Sequence, residues 1–329
     1  MIRELFAIEK KSQRGLIAAE WAVVGYAVLT TLMMLFLWTK LPDAGAMLMG
    51  RFRALVTMAA LWGVYRMVPC RLTMFCRVAL QLAMLSWWYP DTYELNRVLP
   101  NLDHHFAQME QTLFGCQPAL LFSQKLTWPV WSELMYLNYS SYFVLILTVT
   151  LYYFLCRYQE FQRASLVIIG SFFAFYVVFD LLPVTGPQYY YLAAGPDNIA
   201  AGVFPNVGDY FLTHNEMMTM PGYQDGFFYQ CMVHAHAAGE RPTAAFPSSH
   251  VGVTIVMLML ALRTKSRWLS WFVGVMLALM CLSTVYIRAH YAIDVIAGLA
   301  VGFVFFFMLQ GVASGAATPS QHSQQRKRK

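Results

Sequence analysis

The strongest constraint on this chain is a series of long apolar stretches almost without charge. Between Trp21 and Trp38 there is no Asp, Glu, Lys, Arg or His. A helix of about 20 apolar residues crosses the roughly 30 Å of bilayer hydrocarbon, where every backbone polar group must find its partner within the segment. Further runs follow at Ala54–Val68, Met74–Tyr89, Tyr139–Cys156, Leu166–Leu182, Gly252–Leu262, Trp268–Val285 and Ala292–Leu309. Arg66 and Arg77 interrupt the second and third, which read as a hairpin, and the Gly252 run recruits Pro247–Val251 at its start. The expected fold is all-α: a polytopic membrane helical bundle of about eight transmembrane helices with a six-helix catalytic core. Only 12% of the residues are charged, about half the share in a soluble domain, so a water-facing surface cannot be built.

The remaining charge is placed with a bias. Lys10, Lys11 and Arg14, then Arg66, Arg71 and Arg77, Arg157 and Arg163, Arg263, Lys265 and Arg267, and finally Arg326 to Lys329 fall at alternate turns between the runs. Positive charge on one side is the signature of cytoplasmic loops. The net charge of +6 thus expresses topology and not a nucleic-acid footprint. Both termini are expected in the cytoplasm, with two long polar segments, Pro90–Ser132 and Pro183–Pro247, on the other side. No cleavable signal pattern precedes Trp21, so that run stays as an anchor. Three parts follow: N-terminal transmembrane helices over residues 1–90, a catalytic membrane domain over 91–312, and a polar basic tail over 313–329. The six cysteines show no metal spacing; Cys116 and Cys231 lie in the two outer segments, where a disulfide is open to them.

Two stretches carry the chemistry, "AFPSSHVG" from Ala245 and "STVYIRAHYAIDVIAG" from Ser283. In the first, Ser248 and Ser249 stand where the outer segment becomes a helix, and His250 sits in its first turn. Unsatisfied first-turn N–H groups there form an anion site suited to phosphate. In the second, His290 and Asp294 are four residues apart on one helix face. A carboxylate that takes the Nδ1 proton leaves Nε2 free as a nucleophile, and Arg288 adds a bidentate donor for phosphate oxygens. Both stretches open helices running inward from the same face, so they can converge. The combination points to phosphoryl transfer: His290 attacks phosphorus, Asp294 steadies the imidazolium, and His250 protonates the leaving oxygen and then activates the second acceptor. Ser248, Ser249 and Arg288 hold the equatorial oxygens. A site at the membrane boundary suits a lipid phosphate, with no metal and no cofactor. Two rivals remain: a transporter with polar groups at membrane depth, and a metal site among His214, His234 and His236 or at Asp103, His104 and His105.

At these residues the chain resembles the type 2 phosphatidic acid phosphatase superfamily, in particular its lipid phosphate phosphatases and its inositol phosphorylceramide synthase-like branch. Pro247-Ser248-Ser249-His250 matches the family's second motif, and Ser283-Thr284-x5-His290-x3-Asp294 its third. The resemblance covers roughly residues 90 to 310. It implies an integral membrane, metal-independent phosphatase for a lipid phosphate or diphosphate, working through a phosphohistidine on the extracytoplasmic side. Its alternative is a phosphotransferase moving a phospho-head group to an alcohol. Two departures concern the phosphate-binding cations. Thr284 holds an arginine position of the third motif; the first motif is not recognisable, and in its place stands Leu182-Pro-Val-Thr-Gly-Pro-Gln188, where Gln188 replaces the arginine of the synthase-like branch's Gly-Pro-Arg. Arg288 and Arg241 are the substitute candidates.

Overall fold

The computed structural model describes residues 2–237 and 240–315. Most of the expected basic tail, with its Arg326–Lys329 run, therefore lies outside the described residues. In chain order the helices are α1 Ile2–Phe6, α2 Ala18–Phe36, α3 Ala44–Met67 and α4 Arg71–Asn96, then α5 Asp103–Phe114, α6 Pro118–Lys125, α7 Pro129–Ser140 and α8 Tyr142–Cys156. They continue with α9 Tyr158–Leu181, α10 Pro187–Ala194, α11 Pro196–Ala200, α12 Phe227–Ala237, α13 Ser249–Arg263, α14 Arg267–Tyr286 and α15 Ala292–Gly315. The all-α expectation holds.

The expected count of about eight spans is not confirmed. Among the described residues, five helices are long and apolar enough to cross a membrane: α2, α3, α9, α14 and α15. A sixth is added if α7 and α8, bent by 48° at their junction, form one span. The Met74–Tyr89 run lies within α4, whose 26 residues carry Arg71, Arg77, Asp91 and Glu94 and whose apolar content is diluted accordingly. The Gly252 run is α13, apolar but only 15 residues long. Both pack against α9 within the same bundle.

Arg77, read from sequence as a loop charge, is wholly buried. Its Nε donates to Glu20 Oε1 at 2.8 Å, while Glu20 Oε2 accepts the Ile17 N–H at 3.0 Å and so caps α2. An unpaired charge at such a place would cost several kcal/mol; this one exists because α2 supplies its partner. The other basic turns do gather at one end of the bundle. Arg157 donates to the Thr264 carbonyl at 2.6 Å, Arg263 to Gln310 Oε1 at 3.0 Å and Arg163 to Ser314 Oγ at 2.7 Å. Because α13 and α15 run away from their histidines toward these contacts, both histidine stretches sit at the opposite end.

α13 and α15 approach closely because glycines face each other. Gly298 and Gly302, four apart on α15, leave no room for a Cβ: at Gly298 it would stand 2.5 Å from the Ser248 carbonyl oxygen, and at Gly302 it would strike the Gly252 carbonyl of α13. Small residues at this spacing let membrane helices pack backbone to backbone. The contact holds the two histidine-bearing helix starts side by side. Gly302→Val should destabilise the protein by about 1–3 kcal/mol through overpacking, seen as a lower thermal unfolding midpoint in detergent. An unchanged midpoint would show that this helix pair has slack to give.

Candidate phosphoryl-transfer site

The site is assembled from the N-termini of α13 and α15, the turn before α15, and the segment leading into α13. Ser248 is the N-cap of α13: its Oγ accepts the Val251 N–H at 3.4 Å, and its own N–H donates to the Asp294 carbonyl at 3.0 Å. Ser248 is fully buried and Ser249 nearly so. One hydrogen bond thus ties the start of α13 to the first turn of α15.

His250 projects from that first turn between two rings of the α7–α8 bend. Its centroid is 4.4 Å from Tyr139 and 4.5 Å from Tyr142. The His250 and His290 rings are 5.8 Å apart at an interplanar angle of 63°. Two imidazoles from different helices therefore meet at one place, as their positions in the chain suggest.

His290 is oriented differently from the sequence expectation. Its Nδ1 lies 2.7 Å from the Ala245 carbonyl oxygen, whereas Asp294 Oδ2 is 3.6 Å away. A carbonyl can only accept, so Nδ1 carries the hydrogen and the Nε2 lone pair is free. Asp294 Oδ2 accepts the Tyr291 N–H at 2.8 Å, closing the first turn of α15, while its Oδ1 has no partner. The Asp294 carboxyl group lies alongside the imidazole. Burial pushes the His290 imidazole down to about 4, so the ring is neutral at physiological pH and ready to attack.

Arg288, in the left-handed region at φ 67°, points its Nη2 at Ser123 Oγ of α6, 3.2 Å away. Arg241 is exposed, with its guanidinium 6.0 Å from the Tyr93 ring centre. Gln188 is buried; its N–H donates to the Arg288 carbonyl at 3.0 Å, and its Oε1 is without a partner. The structure thus brings Ser248, Ser249, His250, His290 and Asp294 together; the Arg288 guanidinium meets Ser123 with its Nε left without a partner. Thr284 is buried, with its hydroxyl on the Met280 carbonyl at 2.9 Å and its own carbonyl accepting the His290 N–H at 3.1 Å.

Three acids near the site were not singled out from sequence for this role. Asp103, at the start of α5, is fully buried and accepts from Thr185 N at 2.7 Å, Gly186 N at 2.8 Å and Tyr291 Oη at 3.1 Å. Glu110, two turns on and also fully buried, accepts the N–H groups of Ala292 at 3.2 Å and Ile293 at 3.1 Å. Glu240 lies within Coulombic range of His290 and 3.6 Å from His236. The signal for the first two was the spacing of seven, which puts both carboxylates on one face of α5.

The metal rival gains no ligand set: among the described residues no three His, Cys, Asp or Glu side chains gather as a metal would require. Asp103 is instead committed to backbone and tyrosine donors. Cys116 and Cys231 are free; the first lies just after α5 and the second on the exposed face of α12.

A family model described as the PAP2 superfamily matches residues 104–308. The chain belongs to the PAP2 superfamily. No curated protein and no solved structure matches it. Within this PAP2 protein the matched region runs from α5 to α15 and contains both histidine stretches, whereas α2, α3 and α4 precede it. Membership points to phosphatase-type chemistry in a protein with several membrane-length apolar helices.

Proposed function

We propose that this protein is a membrane lipid phosphate or diphosphate phosphatase that acts through a phosphohistidine at the extracytoplasmic boundary, with both termini in the cytoplasm. The observation that carries this reading is the paired imidazoles 5.8 Å apart, with Nδ1 of His290 occupied by the Ala245 carbonyl. In the first step the Nε2 lone pair forms the bond to phosphorus. Burial and His290 favour the neutral ring of His250, so the negative charge of the bound phosphate is what draws a proton onto it. The phosphorus–oxygen bond to the lipid then breaks, and the leaving oxygen takes that proton. In the second step His250 removes a proton from water as its oxygen attacks phosphorus, and the His290 Nε2–phosphorus bond breaks to release phosphate. Asp294 stabilises the positive charge on the phosphorylated ring. Ser248, Ser249 and the free N–H groups opening α13 receive the phosphate oxygens. A site at the end of apolar helices admits a head group while acyl chains stay in lipid, so the bilayer is both environment and substrate reservoir. The test is phosphate release from phosphatidic acid or prenyl diphosphate in detergent micelles without added divalent metal. Absence of release from every lipid phosphate offered would overturn the hydrolase reading.

A second reading, transfer of a phospho-head group to an alcohol, is favoured by Thr284, which stands where the family's third motif has an arginine. A phosphomonoester presents a dianion, a lipid phosphodiester only a monoanion, and a site poor in fixed cations suits the lower charge. Gln188→Arg should then raise turnover of phosphatidic acid relative to a phosphodiester donor by about tenfold, the worth of one charge-assisted contact. Tracing phosphorus label into free phosphate or into a new lipid separates the two readings, and an unchanged ratio would remove the charge argument for the second.

A further inference from the structure

The first turn of α15 has a donor set that its own chain only half satisfies. Asp294 takes the Tyr291 N–H, and the next two N–H groups, Ala292 and Ile293, are taken by Glu110 from α5. Seven residues before Glu110, Asp103 takes the Tyr291 hydroxyl with one oxygen at 3.1 Å and the Thr185 N–H and hydroxyl with the other, at 2.7 and 2.9 Å. The same carboxylate also takes the Gly186 N–H, and Asn101 donates to it at 2.7 Å. Thr185 and Gly186 belong to the segment in which the family's first motif would fall, and Tyr291 follows His290 directly. One helix face therefore grips both sides of the site through two fully buried carboxylates.

We infer that Asp103 and Glu110 make α5 a positioning template for His290, Glu110 by holding the first turn of α15 and Asp103 by holding Tyr291 against the Thr185–Gly186 turn. The arrangement has a consequence for the substrate. Glu110 fills the anion site at the N-terminus of α15, so the phosphate is left the N-terminus of α13. This assignment rests on the phosphoryl-transfer reading of the site, and Asp103 and Glu110 touch neither substrate nor reacting atoms.

Glu110 also supplies a pH signature. Burial pushes its carboxyl up to about 7, against the pull of the Ile293 and Ala292 donors, with Asp294 adding to the rise. The titratable groups that face it are Asp294 on α15 and Tyr191 on α10. Below pH about 7 the neutral acid resembles glutamine in shape and charge; above it the carboxylate grips with charge-assisted bonds. The ratio of wild-type kcat to that of Glu110→Gln should climb from near one to about tenfold as pH rises through 7, with KM within about twofold.

The experiment measures kcat and KM of the full chain in detergent from pH 5.5 to 8.5 for wild type, Glu110→Gln and Tyr291→Phe. Thermal unfolding midpoints are recorded alongside, and the nitrogen resonances of the His290 ring are followed in labelled protein. Tyr291→Phe deletes a single hydroxyl, so it reports on the Asp103 arm even where Glu110→Gln fails to fold. It should lower kcat by about tenfold and shift the His290 resonances. A flat kcat ratio across pH with unmoved His290 resonances in both variants overturns the template, as does loss of kcat that only follows loss of folded protein. If wild-type protein turns over no phosphate ester, the functional reading fails, and the template is then decided by the His290 resonances alone.

Discussion

Replacing His290 with alanine should reduce phosphoryl turnover by on the order of 10⁴-fold or more, to the level that binding alone sustains. The size follows from the atoms removed. Nε2 is the only protein group in this account that forms a bond to phosphorus, and its lone pair is free because Nδ1 donates to the Ala245 carbonyl at 2.7 Å. The ring is nearly fully buried and not itself a packing anchor of the α13–α15 contact, which glycines make. The variant should therefore fold and still bind lipid phosphate. Turnover within tenfold of wild type, from protein with a normal unfolding midpoint, would remove His290 from the mechanism.

The second large effect belongs to His250. His250→Gln should cost about 10²–10⁴-fold on a lipid substrate, whose alkoxide leaving group needs a proton as the bond breaks. Its position supports that role: the ring stands 5.8 Å from His290 and is held between Tyr139 and Tyr142. The distinguishing measurement is leaving-group dependence. With an aryl phosphate whose phenolate leaves unaided, the initial burst of phenol release should recover most of its wild-type rate, while the steady state remains slow because hydrolysis of the phosphohistidine still needs a base. Equal losses in burst and steady state on both substrates would mean that His250 positions the substrate and transfers no proton.

The fold was legible where the local signal was strong. Runs such as Trp21–Trp38 and Ala292–Leu309 have few alternatives to a membrane helix, and both are helices. The count was less legible, because α4 compensates Arg77 with Glu20 from a distant part of the chain, and α13 is short and shielded by its neighbours. Neither fact is visible in a window of twenty residues. Convergence of His250 and His290 followed from each standing at the start of a helix on the same face. The hydrogen-bond partner of His290 did not. Spacing alone offered Asp294, four residues away, whereas the acceptor is the Ala245 carbonyl, 45 residues back, and main-chain acceptors leave no mark on side-chain patterns. The same blindness hid Asp103 and Glu110, whose partners are mostly backbone N–H groups. Arg288 was drawn to the phosphate by its nearness in sequence to His290; the contact of its guanidinium with Ser123 of α6, 165 residues back, is one that local spacing does not show.

The central claim is that Nε2 of His290 becomes covalently bonded to phosphorus during turnover. The most direct measurement is rapid quenching of the full chain with labelled lipid phosphate, followed by alkaline digestion and mass spectrometry of the histidine-containing peptides. The account predicts acid-labile, base-stable phosphate on the peptide containing His290, attached at Nε2 and not Nδ1, and absent from His290→Ala. Phosphate found on His250 or on Ser248, or rapid turnover with no phosphorylated residue at any quench time, would contradict it.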